Sequence, residues 1–255
     1  MNTDIDVRYI APTVCRLLGV APPDECEVEA IQEIVMSLSS KPRIALIVID
    51  AVGESTFNTH REFAPYLSNT ADSHYLTLQS VMPTITPVNF ASMATGTLPI
   101  THSIREREEN IFIDTLFDAL RRGGRTSAVA ARERSTLNLL LSSKADERAV
   151  AVNNKDSEII TCIEELLEND LFDFFWIQLL DMDDAQHTFG VQNPSAGKVL
   201  GKLDSNLCHL SDLLGELDYG IIICSDHGQH DNDDNSGGTH DGTSADDAKA
   251  VLMWQ

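Results

Sequence analysis

The chain has 255 residues, with 40 Asp and Glu against 18 Lys and Arg, and a formal net charge of −22. That length is enough for one α/β domain with a full core, and the charge repels a polyanion, which argues against nucleic acid as a standing partner. There is no apolar run near the length of a membrane span and no fixed-period repeat, and Asp4 and Asp6 stand where a signal peptide would be basic. The expectation is a soluble, cytoplasmic protein with no membrane partner and no predicted oligomeric state. Five cysteines without CxxC spacing read as free, buried thiols rather than ligands.

The first element is "VRYIAPTVCRLLG". Ile10, Val14, Leu17 and Leu18 fall on one helical face, Pro12 suits a first turn and Gly19 supplies a stop. Such a short helix is marginal alone and needs a partner. Apolar runs follow at 43–50, 125–131, 172–181, 219–226 and 249–254, alternating with amphipathic segments near 25–39, 88–95, 113–122, 156–167 and 196–215. Strands apolar on both faces that alternate with helices predict an α/β three-layer sandwich around a mostly parallel sheet, without a large cap domain.

Three predicted strands end in acids. "LIVIDAVG" reaches Asp50, "WIQLLDMDDAQH" runs through Asp183 to His187, and "IIICSDHG" reaches Asp226 and His227. A single strand-end Asp is ordinarily a helix cap. Three converging on one sheet edge without basic partners would repel one another, so a bound cation is the better explanation. Asp183 and His187 are one helical turn apart, as chelation requires, and His240 follows a Gly pair in a polar loop. These six side chains can ligate two divalent ions about 3.5–4 Å apart. Mixed imidazole and carboxylate donors suit Zn²⁺, with Mn²⁺ or Fe as alternatives.

The stretch "SVMPTITPVNFASMATGTLPITHSI" places Thr86 at or just before a helix predicted near Val88, where free N–H groups favour an anion. Together the residues resemble the alkaline phosphatase superfamily, most closely its nucleotide pyrophosphatase/phosphodiesterase branch. The resemblance rests on "IVIDAVG"; on Thr86 with Asn89, Thr95, Gly96, Pro99 and His102; on Asp183 to His187; on "SDHG" at 225–228; and on "GTHDG" at 238–242, where Asp241 replaces the family's Gly. It implies that Asp50, Asp226, His227 and the Thr86 oxygen hold one metal, and that Asp183, His187 and His240 hold the other. It further implies that Asn89 donates to a phosphoryl oxygen and that Thr86 is the nucleophile, forming a phosphothreonine intermediate in the hydrolysis of a small-molecule phosphoester.

Two alternatives use the same residues: a phosphomonoesterase or phosphonoacetate hydrolase-like enzyme, and a catalytically silent metal-binding relative. Thr86 and Asn89, which a silent protein would not need, favour an enzyme. A sulfatase-type C/S-x-P-x-R motif is absent. Arg105, Arg107, Arg132 and Arg134 read as loop arginines that could reach the site, although balancing nearby acids is the simpler reading. His60, His74, His209 and His230 match no motif, and 230–235 reads as a solvated acidic loop.

In this superfamily a segment like "DIAPTVLxLLGxxPP" closes the catalytic domain. Here its counterpart, "DVRYIAPTVCRLLGVAPP", comes first. A circular permutation is therefore expected, with 1–24 the displaced closing helix, 25–40 a connector, and Gln255 near residues 4–9 beside the helix.

Overall fold

A computed structural model describes residues 5–234 and 236–255. Its strands are β1 (Arg43–Ile49), β2 (Tyr75–Gln79), β3 (Ser127–Arg132), β4 (Glu147–Ala151), β5 (Phe174–Leu179), β6 (Tyr219–Cys224), β7 (His230–Asp231), β8 (Gly238–Thr239) and β9 (Lys249–Trp254). Seven of them form one sheet in the order β2-β9-β6-β1-β5-β3-β4, while β7 and β8 make a separate ribbon. Pairing is parallel except at β9, which runs antiparallel to both β6 and β2. The expected mostly parallel α/β sandwich is therefore the observed architecture.

The helices are α1 (Ile10–Leu17), α2 (Gln32–Leu38), α3 (Glu54–His60), α4 (Pro65–Ser73), α5 (Thr86–Thr95), α6 (Pro99–His102), α7 (Leu116–Arg122), α8 (Asp156–Leu167), α9 (Asp181–Phe189) and α10 (Pro194–Glu216). Alternation along the strands divides the core. Ile44, Leu46 and Val48 face α1, α2, α5 and α7, whereas Ala45, Ile47 and Ile49 face α3, α4, α8 and α10. Trp176 anchors the first layer, stacked on Phe90 at 5.5 Å and Phe117 at 6.0 Å and fully buried. Trp176→Ala should lower stability by about 3–5 kcal/mol through the cavity it leaves. A urea midpoint shift equivalent to less than about 1 kcal/mol would show that Trp176 is not an anchor of this layer.

Five strands lie where expected. The two unexpected members of the sheet, β2 and β4, are its edges, where one flank is solvated and the continuous apolar run that marks a buried strand is lost. The helix expected over 25–39 is confined to Gln32–Leu38. Upstream, Glu27 N donates to Gly96 O and Ile31 N to Thr13 Oγ1, so those amides are committed to neighbours rather than to a helical turn. The cysteines are free, as expected, but only Cys15 and Cys224 are buried.

The opening helix finds its partners in this layer: Val7, Ile10, Ala11, Val14 and Cys15 join one cluster with Phe90, Met93 and Leu120. That cluster also holds Ala250, Leu252 and Trp254 of β9, so α1 shares the sheet face of the last strand. Gln255, however, is not beside residues 5–9. Asp6 bridges to Gln79, which pairs with Lys249 at the opposite end of β9, roughly 20 Å of strand away. The adjacent termini expected of a permutation are not what the register gives; residues 1–4 of that expectation lie outside the described residues. Among the described residues no helix is long and apolar enough to cross a membrane.

Candidate active site

Every acid of the site sits where a β-strand of this sheet ends, the edge at which α/β sheets bind ligands. Asp50 follows β1, Asp226 lies two residues past β6, and Asp183 is in the first turn of α9, which begins shortly after β5. The loops after β1 and β6 can meet because both carry glycine. A Cβ on Gly53 would stand 2.7 Å from Gly228 Cα, and one on Gly228 would stand 2.2 Å from Asp246 O. Gly237 has φ +124, and a Cβ there would lie 2.0 Å from His187 O, so the Gly pair before His240 lets that loop close onto α9.

His227 is at the centre. Its Nε2 lies 3.5 Å from Asp50 Oδ1, 3.3 Å from Asp226 Oδ2 and 3.2 Å from Thr86 Oγ1. Its ring stacks on His240 at 4.0 Å between centroids, and His240 lies 5.2 Å from His187. Each of the three histidines donates Nδ1–H to a backbone carbonyl: His227 to Gly228 O at 3.1 Å, His187 to Gly238 O at 3.0 Å and His240 to Thr84 O at 2.6 Å. A carbonyl can only accept, so in the neutral ring of each it is Nε2 that is free to take a ligand.

The donor set fits a divalent cation. Asp50 Oδ1 and Asp226 Oδ2 are both buried without a hydrogen-bond partner, and they lie 3.5 and 3.3 Å from His227 Nε2. Buried carboxylate oxygens are ordinarily satisfied, so a pair orphaned among the described residues indicates a missing positive partner. The potential ligand atoms of Asp50, Asp226 and His227 lie within 4.8 Å of one another, as do those of Asp183, His227 and His240. His187 Nε2 joins the second group through Asp183 Oδ1 at 3.2 Å.

Electrostatics agree with that reading. Burial, followed by the charges of Asp226 and Asp183, pushes the Asp50 carboxyl well above its ordinary range, and burial raises Asp226 as well. Burial also works to raise Asp183, but the His187 hydrogen bond and the nearby histidines outweigh it and hold Asp183 low. The Asp183 hydrogen bond raises His187, while burial and then His227 lower His240.

Thr86 is the first residue of α5, two positions earlier than the helix start expected from sequence. Its hydroxyl therefore stands among the unpaired N–H groups of the first turn, beside His227. Asn89 is fully buried; its Oδ1 accepts from Val81 N at 2.8 Å and one N–H of its Nδ2 donates to Ile85 O at 3.2 Å. These bonds brace the turn that carries Thr86. His102 is likewise internal: its Nδ1 accepts from Ile104 N, its Nε2 bonds Ser92 Oγ at 3.0 Å, and burial lowers its pKa to about 4.

Sequence reasoning missed three supporting residues. Gln178 donates to Asp50 Oδ2 at 2.7 Å, Gln229 donates to Asp183 Oδ1 at 2.7 Å, and Thr84 Oγ1 donates to His240 O at 2.7 Å. Gln178 carried a readable signal, a lone amide inside an otherwise apolar strand. The four arginines separate into different roles. Arg105 and Arg107 line a cavity of about 280 Å³ together with Glu106, Glu108, Thr86, Pro87 and Thr136, and Arg134 is exposed. Arg132 ends a strand rather than lying in a loop, and it is buried among Asp156, Asp181 and Asp184. His230, read as ordinary, bonds Asp247 Oδ1 at 2.7 Å. The acidic loop 230–235 includes residue 235, which lies outside the described residues.

The fold and this set of strand-end ligands define a protein of the alkaline phosphatase type. The sequence matches the type I phosphodiesterase / nucleotide pyrophosphatase family over residues 44–119 and 136–253, and the chain belongs to that family. No curated protein matches the chain. Solved structures with the same fold include murine ectonucleotide pyrophosphatase/phosphodiesterase 5, at 16% identity and TM-score 0.63, covering 74% of this chain and 58% of that one. Another is phosphonoacetate hydrolase from Sinorhizobium meliloti 1021 in complex with phosphonoformate, at 18% identity and TM-score 0.59, covering 77% and 59%. A third is the C-terminal periplasmic domain of phosphoethanolamine transferase EptC from Campylobacter jejuni, at 13% identity and TM-score 0.61, covering 84% and 80%. At these identities the likeness is one of fold, and the chain spans less than two thirds of the first two proteins.

Proposed function

We propose that this chain is a hydrolase of small-molecule phosphorus esters that uses two divalent cations, Zn²⁺ first among them, and Thr86 as nucleophile. The observation that carries this reading is the Thr86 hydroxyl 3.2 Å from His227 Nε2, beside the two orphaned carboxylate oxygens of Asp50 and Asp226. Asp50, Asp226 and His227 would hold one cation and Asp183, His187 and His240 the other, supplying positive charge that favours the alkoxide of Thr86 and the oxygens around phosphorus.

Thr86 Oγ attacks phosphorus, the bond to the leaving oxygen breaks, and water then hydrolyses the phosphothreonine. The N–H groups of the first turn of α5 face the phosphoryl oxygens, and Asn89 fixes that turn through Val81 and Ile85. In the cavity beside Thr86, Arg107 Nε donates to Glu108 Oε1 at 3.3 Å, and Arg105 would suit a second anionic group of the substrate, either another phosphate or a carboxylate. One structural neighbour is consistent with such a substrate: the Sinorhizobium hydrolase was solved with phosphonoacetate, which carries a carboxylate beside its phosphonate.

The test is hydrolysis of a nucleoside diphosphate ester, a simple diester, a monoester and a phosphonocarboxylate by protein supplied with Zn²⁺ or Mn²⁺. Cleavage of the pyrophosphate-containing ester above the monoester is expected. Hydrolysis of none of the four by cation-loaded protein would leave the silent, metal-binding reading in its place.

A further inference from the structure

The two cation sites differ in how they are built. Asp50, Asp226 and His227 are fixed by the sheet itself, whereas Asp183 and His187 ride on α9, a helix of nine residues. That helix begins without a cap of its own, because Leu180 occupies the N-cap position and makes no side-chain hydrogen bond. Its opening donors are satisfied from elsewhere in the chain. Asp156, the first residue of α8, accepts Leu180 N through Oδ1 at 2.9 Å and Asp181 N through Oδ2 at 2.8 Å.

Asp156 is in turn gripped by Arg132, the last residue of β3. Nε and Nη2 of Arg132 donate to Asp156 Oδ1 at 3.2 and 2.8 Å, Nη2 also donates to Asp181, and Nη1 donates to Asp184 Oδ2 at 2.6 Å. The Arg132 side chain is 5% exposed and that of Asp156 is 1%. A planar guanidinium with five donors can satisfy three carboxylates at fixed angles, which an ammonium cannot. Of the three acids in the first turn of α9, the arginine draws away Asp181 and Asp184, and Asp183 alone turns toward Gln229 and His187. One turn later Gln186 Nε2 donates to Ala51 O at 2.8 Å and pins the helix to the end of β1. Two fastenings fix a helix's rotation, and one leaves it free to swing.

We propose that Arg132, acting through Asp156, is a positioning residue for the second cation site: it sets the angle of α9 so that Asp183 and His187 reach the same ion as His240. The inference rests on the two-cation reading above, and it assigns to a residue that touches neither substrate nor cation the selective control of one of the two ions. Loss of an interaction that orients a ligand characteristically weakens metal affinity 10–100-fold.

The experiment compares wild type, Arg132→Met and Arg132→Lys by two measurements on the full chain: Zn²⁺ titration to saturation, and amide hydrogen exchange of the cation-free protein. Arg132→Met should bind one equivalent as wild type does and the other about 10–100-fold more weakly, with faster exchange confined to residues 180–187. Arg132→Lys, which keeps the charge but not the fork, should fall between the two. If Arg132→Met does not fold, Asp181→Asn keeps the side-chain shape and the backbone bonds to Asp156, and should weaken the same equivalent several-fold. Equal weakening of both equivalents, an unchanged second equivalent, or unchanged exchange in 180–187 would overturn the proposal. Should wild type bind no cation, the two-cation reading fails by itself and exchange in 180–187 decides whether Arg132 holds α9.

Discussion

Thr86→Ala should lose at least about a thousandfold in turnover while keeping its fold and its cations. Deletion of a nucleophile that works as a unit with its surroundings typically costs 10³-fold or more, and little here would compensate. Among the described residues the Thr86 hydroxyl makes one hydrogen bond, the 3.2 Å approach to His227, and the fold does not depend on it: α5 starts on the backbone of Ile85 and is held by Asn89 and the core packing of Phe90. Its partners Asp50, Asp226 and His227 are oriented independently by Gln178, Ala51 N and Gly228 O. Kinetics alongside a Zn²⁺ titration separate the two effects. Activity within tenfold of wild type, a difference of about 1.4 kcal/mol, would remove Thr86 from the nucleophile's role.

Chelation should make the stability of the protein fall as pH rises. In the cation-free fold, burial and the neighbouring acids raise Asp50 well above its unfolded value, and burial raises Asp226. The folded state therefore holds more protons than the unfolded chain once pH passes the ordinary carboxylate range, about 4. Stability is then full below that range and is lost as pH climbs through the raised folded values. His187, also raised, works in the same direction from about 6.5 upward. Asp183 and His240, both held low, work oppositely: the contribution of Asp183 is lost only as pH falls below about 4, and that of His240 as pH falls below about 6.5. A bound cation reverses the trend by stabilising the ionised acids, and at a hundred times its Kd it adds about 2.7 kcal/mol. Urea midpoints with chelator and with Zn²⁺, taken between about pH 5 and 8, should diverge steadily in that window. Midpoints that coincide at every pH would mean that the buried carboxylates are not a cation site.

What could be read from sequence followed the physics of each element. Strands buried on both faces are continuous apolar runs, so β1, β5, β6 and β9 were plain, and the acids after β1, β5 and β6 were conspicuous because such runs rarely finish on charge. Asp183 and His187 were paired correctly because helical spacing is local. The edge strands β2 and β4 were missed because half their residues face solvent and mimic loops.

His240 sits in a segment with almost no local ordering signal. It is held by contacts distant in sequence, with Thr84 and through the β7–β8 ribbon, which no periodicity encodes. Asn89 illustrates the opposite limit. Its position was legible, but only the packed structure reveals that its Oδ1 is taken by Val81 N and one of its two N–H groups by Ile85 O. Arg132 looked like a surface residue because its three acidic partners are scattered over residues 156–184, and the fold alone collects them.

The same distinction separates α1's packing from its history. Its apolar face and stop signal were legible, and it packs against α5 and α7 as an amphipathic helix must. The place of Gln255 depended on strand register, and register set it at the far end of β9.

The most direct measurement is to quench turnover of a pyrophosphate-containing ester in acid and locate any phosphoryl group by peptide mass spectrometry. A phosphoryl group on the Thr86 peptide of wild type, absent from Thr86→Ala, is the predicted result. Steady turnover with Thr86 never labelled, and undiminished in Thr86→Ala, would contradict the account.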